Sequence, residues 1–171
     1  MVETRSAEIP EEQLLAGYAR QRNHDMGVLS STSTGTATMG VAVRSYLSNG
    51  YVMQITGATP SAGGHHLTAL STRATSNQGV EQFGINLVAN NTPSVGTDPV
   101  QVPSSQYSFG TVADGYLMPD HFKYIDGDIV AQSDTSSGET DYTVSMIINV
   151  SDVTPGGHYA GAFSAVVVPL Y

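Results

Sequence analysis

Between Tyr142 and Ser151 the sequence reads YTVSMIINVS. Tyr142, Val144, Met146, Ile148 and Val150 fall on every second position, with Thr143, Ser145, Asn149 and Ser151 between them. An extended chain turns successive side chains to opposite faces, so this spacing defines a strand with one apolar face. A helix would smear the same residues around its whole circumference. The period recurs at Tyr51, Met53 and Ile55, which alternate with Val52, Gln54 and Thr56. It appears again at Phe83, Ile85 and Leu87.

The punctuation between these runs is that of an antiparallel protein. YLSNGYVMQITG reads as a hairpin, with Asn49-Gly50 supplying the two positive-φ positions of a type I′ turn. The stretch GVLSSTSTGTATMGVAVRSY is Thr-rich and carries no helical apolar stripe; residues 28–43 alternate poorly and are expected to lean on a partner sheet. HLTAL, YSFG, HFKYI and DIVAQS are short strand candidates, and residues 73–80 read as loop. NNTPSVGTDPVQVPSS is a connection in which proline blocks central-strand pairing. The chain closes on a hairpin whose turn is VTPGGHY. Roughly eight to ten short strands separated by turn signals, with no alternation of strands and long helices, predict an antiparallel β-sandwich, immunoglobulin-like or jelly-roll. The sandwich is expected over residues 26–171. Residues 1–25 differ. EIPEEQLLAGYARQRNHD is charge-rich, and Pro10, Glu11 and Glu12 could open a short helix carrying Leu14, Leu15 and Tyr18. This segment is expected to be a short helix or a flexible arm.

Composition narrows the job. Charged residues make up 12% of the 171 positions, well below the roughly 25% usual for soluble domains. The surface is instead wetted by hydroxyls, from 19 Ser and 17 Thr. The net charge is -9, and Lys123 is the one lysine. Nucleic acid is therefore not an expected partner, since phosphate has to be neutralised by Lys and Arg. Insertion into a membrane is not expected either, because no apolar run approaches the length of a span. The absence of cysteine excludes disulfides and thiolate metal sites. The opening MVETRSAEIPEE reads either as a native cytosolic start or as the start of a mature chain whose signal peptide has been removed; the secreted character of the rest favours the second, so the protein is expected outside the cell or on its surface.

Two stretches carry a resemblance. TPGGHYAGAFSAVVVPLY resembles the C-terminal hairpin of spore-coat-U-type pilin domains and WxL-type surface domains. EQFGINLVANNTP, DPVQVPSSQYSFGTVADGY and FKYIDGDIVAQS are similar to a set of uncharacterised secreted all-β surface proteins of small-genome bacteria, over about residues 27–171. The resemblance implies an extracellular or cell-surface location and a structural or adhesive role. The chain departs from pilin patterns in lacking disulfide cysteines and a hydrophobic type IV N-terminus, which leaves the assembly route open.

Candidate chemistry is sparse. Asp114, Asp120, Asp126, Asp128, Asp134, Glu139 and Asp141 crowd into one stretch. Asp126-Gly127-Asp128, with Asp134, has the oxygen-rich character that calcium prefers, although the EF-hand order is absent. The alternative is a set of aspartates capping solvated turns. His24, His65, His66, His121 and His158 show no zinc spacing, and adjacent His65 and His66 point to opposite faces of a strand. No G-x-S-x-G elbow, HExxH helix or P-loop occurs, so no catalytic residue is assigned and no enzyme is expected. Among the nine tyrosines, Tyr46, Tyr51 and Tyr116 are candidates for a sugar- or protein-binding face, against ordinary strand positions with surface hydroxyls. Lys123 could form an isopeptide cross-link to an asparagine, but a solvated strand lysine is the simpler reading.

The expectation is a non-enzymatic structural subunit that self-assembles into a fibre, pilus-like polymer or surface layer, using its N-terminal arm for strand exchange. The partner would be further copies of itself. The alternatives are an extracellular adhesion or ligand-binding module contacting a cell-surface glycan or protein, and a viral-type jelly-roll structural protein.

Overall fold

A computed structural model of the chain describes residues 18–19, 25–102 and 107–171. The helix or arm expected over residues 1–25 falls outside these, apart from the pair Tyr18–Ala19, which is a strand, and Asp25, which lies in irregular chain. The described residues form an all-β protein. Its first strands are β1 (Tyr18–Ala19), β2 (Gly35–Ser45), β3 (Gly50–Thr56), β4 (Ser61–Ala62), β5 (His65–His66), β6 (Ala74–Thr75) and β7 (Gln82–Asn86). They continue as β8 (Asn90–Asn91), β9 (Ser94–Val95), β10 (Val100–Gln101), β11 (Thr111–Val112), β12 (His121–Phe122), β13 (Ile129–Ser133), β14 (Ser137–Asn149) and β15 (Ser164–Leu170). No helix among the described residues is long and apolar enough to cross a membrane.

Two antiparallel sheets hold the longer strands. In the first, β14 is the hub. Along one flank it pairs with β2, from Ser137↔Ser45 to Ile148↔Gly35. Along the other it pairs with β10 near Asp141 and with β7 from Ser145↔Asn86 to Asn149↔Gln82. The second sheet runs in the order β11-β13-β3-β15. Residues from both sheets share one apolar core: Val41, Val43, Tyr142, Val144 and Ile148 from the first, Tyr51, Met53, Ile55, Val130 and Ala131 from the second. This is the sandwich arrangement that alternation predicts.

The apolar faces fall where the period of two puts them. Tyr51, Met53 and Ile55 are buried, and Val52, Gln54 and Thr56 are half-buried. Phe83, Ile85 and Leu87 are buried together. β7 and β14 are buried on both faces: Gln82, Gly84 and Asn86 of β7 are buried, and Ser145, Ile147 and Asn149 of β14 are inaccessible. Loops cover them. Thr97 and Thr143 share a hydroxyl hydrogen bond of 2.9 Å, and Asn149 Nδ2 donates to Gln82 Oε1 and Ser76 Oγ, each at 2.9 Å. Gly96 lies so close over Ser145 that a Cβ there would come within 1.9 Å of its Oγ.

Three expectations are corrected. The Asn49-Gly50 turn does not close a hairpin, since β2 and β3 belong to different sheets. Gly50 has φ 141° rather than the left-handed turn value, and a Cβ there would lie 2.1 Å from the Ser133 carbonyl oxygen. The turn is a corner that carries the chain from one sheet to the other. The closing hairpin is likewise not a hairpin: β14 lies in the first sheet, while β15 pairs with β3 in the second, from Ser164↔Thr56 to Leu170↔Gly50. Finally, the stretch Gly35–Ser45 needs no outside partner to become a strand, because β14 pairs along it. Alternation selects the buried face of a strand but leaves its neighbour unspecified.

Candidate functional site

Two strand edges stand open among the described residues. On the flank of β2 away from β14, only Tyr18 and Ala19 pair, opposite Ala42 and Val41. Gly35–Gly40 has no strand neighbour there among the described residues. β15 ends the second sheet and pairs on one side only. The Leu170 carbonyl accepts from Asn49 N–H at 2.7 Å. The strict alternation of an antiparallel ladder therefore turns the backbone groups of Ala165 and Val167 to the open side. Pro169, with no N–H to offer, sits where an edge strand tolerates it. Val166, Val168 and Leu170 are exposed on the outer face of β15 at 39%, 42% and 38%.

Near the open flank of β2 the core is left incompletely closed. Ala37, Met39, Ala165 and Val167 pack on the core but are only partly buried. A groove runs there, floored by Met39, Val41, Met146, Ile148, Phe83 and Phe163, with residues 25–31 and 151–163 as its walls. Its margin is acidic, carrying Asp25, Glu139, Asp141 and Asp152. An apolar strip inside an acidic rim suits a segment that brings backbone donors, apolar side chains and positive charge.

One wall of the groove is fixed by Glu81. Its carboxylate accepts from Thr68 N–H at 3.0 Å, Thr68 Oγ1 at 2.8 Å and Thr154 Oγ1 at 2.8 Å, and meets His65 Nε2 at 2.9 Å. Desolvation pushes Glu81 up, but the hydrogen bonds from His65, Thr154 and Thr68 outweigh it and bring its pKa down to about 2. Thr154 Oγ1 also accepts from Ser151 N–H at 3.0 Å, so the start of the 151–163 loop is pinned to the β4–β5 hairpin. Nothing local in the sequence marks Glu81 or Thr154, which lie 73 positions apart.

The expected metal loop is dispersed. Asp126 Oδ1 accepts from Gly57 N–H at 2.9 Å. Asp128 Oδ2 takes Lys123 Nζ at 2.7 Å and the Tyr116 hydroxyl at 2.8 Å. Desolvation raises the Asp128 pKa, and the hydrogen bonds from Lys123 and Tyr116 overcome it and lower it. Asp134 lies beyond the far end of β13, about 20 Å along an extended chain from Asp128. Among the described residues no three His, Asp or Glu side chains converge to hold a metal. Lys123 is not a solvated strand lysine: it is part-buried, paired with Asp128 and lies 5.2 Å from the Tyr116 ring centre. It faces a carboxylate and no asparagine amide.

The three candidate tyrosines do not form a face. Tyr51 is fully buried, with its hydroxyl on that of Tyr142. Tyr116 is buried with its hydroxyl on Asp128. Only Tyr46 is partly exposed, packed against Tyr107 at 4.7 Å between ring centres. His65 is bound to Glu81, and His66 and His121 contact the carbonyls of Thr59 and Pro119. No family model matches the chain, and no curated protein or solved structure matches it either.

Proposed function

We propose that the protein is a non-enzymatic, extracellular or cell-surface structural subunit that self-assembles by strand addition. The occupant of the open flank is the N-terminal arm of a second copy. The observation that carries this reading is that, among the described residues, Gly35–Gly40 of β2 has no strand neighbour on the flank away from β14, beside Ala37 and Met39, which are only partly buried. An added strand would satisfy the free backbone groups of β2 and cover Ala37 and Met39 in one step. Tyr18 and Ala19 already set a register against Ala42 and Val41. The 24 residues that precede Asp25 reach about 80 Å when extended, far enough to make the same pairing on a neighbour. Exchange of an identical element between copies is a low-cost route to assembly. Arg20 and Arg22 of the arm match the acidic margin of the groove in sign.

Light scattering on the full-length chain tests this against two variants, Ala19→Pro and a form lacking residues 1–25, each with calcium and with chelator. Proline at position 19 removes an N–H and restricts the chain, so it opposes strand pairing. Oligomers that dissociate in both variants are expected. A monomeric wild type under every condition overturns the proposal and leaves a monomeric binding module as the better reading.

A further inference from the structure

One end of the sandwich holds a second site, which shares no lining residue with the groove. Tyr107, Ser108, Asn49 and residues 134–136 surround a shallow pocket there. Tyr46 packs its ring on Tyr107 at 4.7 Å, tilted by 40°. Two of the side chains singled out by sequence for unrelated reasons, Tyr46 and Asp134, are thus brought to the same end of the molecule.

The pocket is rigidly framed. Gly50 lets the corner press onto the Ser133–Asp134 backbone, where any side chain would collide with the Ser133 carbonyl. Ser48 Oγ donates to the Gly50 carbonyl at 2.8 Å, and Ser136 Oγ donates to the Ser48 carbonyl at 2.7 Å. Ser108 Oγ donates to the Ser136 carbonyl at 3.1 Å. These bonds join the three loops to one another. Within that frame, the Asp134 carboxylate, the Asn49 side-chain amide and the Tyr107 hydroxyl have no hydrogen-bond partner among the described residues. An acceptor-only carboxylate, an amide that both donates and accepts, and an aromatic ring are a set that complements vicinal hydroxyls on a molecule with an apolar C–H face.

We propose that this pocket binds a neutral saccharide. Asp134 and the net charge of -9 oppose an acidic sugar. Arg44 stands 5.8 Å from the Tyr46 ring centre, so the cation position on the aromatic pair is already filled by the protein's own guanidinium. That disfavours an ammonium ligand. Asp134 and Asn49 bind the hydroxyls, and the Tyr107 ring supports the C–H face. The proposal does not depend on self-assembly, since no residue of β2 or β15 lines the pocket.

The test is saturation-transfer NMR on the full-length protein with maltose, lactose, chitobiose and mannobiose, with sialyllactose and choline in parallel. Saturation of at least one neutral disaccharide is expected, with none of sialyllactose or choline. Tyr107→Ala and Asp134→Asn are each expected to weaken that signal about tenfold, while Asp126→Asn, outside the pocket, leaves it unchanged. Melting curves for the three variants separate loss of the site from loss of the fold. Absence of saturation for all four neutral sugars, persistence of the signal in both pocket variants, or saturation of choline instead overturns the proposal.

Discussion

The hydroxyls of Tyr51 and Tyr142 meet 2.8 Å apart inside the core, one ring from each sheet. Desolvation raises the pKa of both phenols, so the pair is neutral and one hydroxyl donates to the other. Gly110 closes over them. A Cβ at position 110 would lie 1.9 Å from the Tyr51 oxygen and 2.2 Å from that of Tyr142. Gly110→Ala is therefore expected to lower stability by about 2–4 kcal/mol, and Tyr142→Phe by about 1–2 kcal/mol through the unpaired hydroxyl it leaves. Urea midpoints at constant m-value give both figures; an unaltered midpoint for Gly110→Ala contradicts this packing.

Acid should loosen the groove wall. Glu81 has its pKa depressed from 4.5 to about 2, so the stability it supplies is present above pH 4.5 and is lost as pH falls towards 2. Glu81→Gln is expected to cost about 2 kcal/mol at neutral pH and to flatten the acid limb of the stability curve. Hydrogen exchange at Ser151 and Thr154 should rise in the variant before exchange in β14 does. A variant that keeps the wild-type pH profile from 2 to 4.5 assigns the acid sensitivity elsewhere.

The Lys123–Asp128–Tyr116 cluster is structural. Lys123→Met leaves a part-buried carboxylate without its ammonium, and a loss of about 1–2 kcal/mol is expected. Calcium and chelator should give the same melting temperature in the wild type, because a calcium ion at Asp128 would have to displace an ammonium 2.7 Å away. A clear rise in melting temperature with calcium refutes this.

The outer face of β15 is expected to govern solubility and to have little effect on stability. Val166→Lys and Val168→Lys place charge on an apolar edge strand without touching the core. Each should change the urea midpoint by less than about 0.5 kcal/mol and reduce concentration-dependent scattering. If either substitution unfolds the protein, β15 is packed on both faces.

The local alphabet of this chain contains its longer strands β3, β7 and β14, but not β6 or β8–β10, which lie in stretches that read as loop or connection. The period of two at Tyr51–Ile55 marks which residues are buried deepest, because a pleated strand has only two faces and water rejects the apolar one. Asn49-Gly50 and the VTPGGHY segment mark where the chain turns. Neither pattern carries the identity of the next strand across, since backbone hydrogen bonding is the same with any neighbour. So the two apparent hairpins became crossings between sheets, and Ser145, Ile147 and Asn149 were buried by loops that local alternation cannot see. The candidate sites divide in the same way. Asp126 and Asp128 precede β13 and Asp134 follows it, so the length of that strand sets Asp134 apart from the other two. Tyr46 and Asp134 are far apart in sequence and are drawn to one end by a corner that only Gly50 allows. Glu81 and Thr154 meet through folding alone. The apolar face of a strand is a property of a residue and its immediate neighbours, and it is readable from the chain; burial of a second face and convergence of distant side chains are properties of the whole packing, and long-range contact sets them.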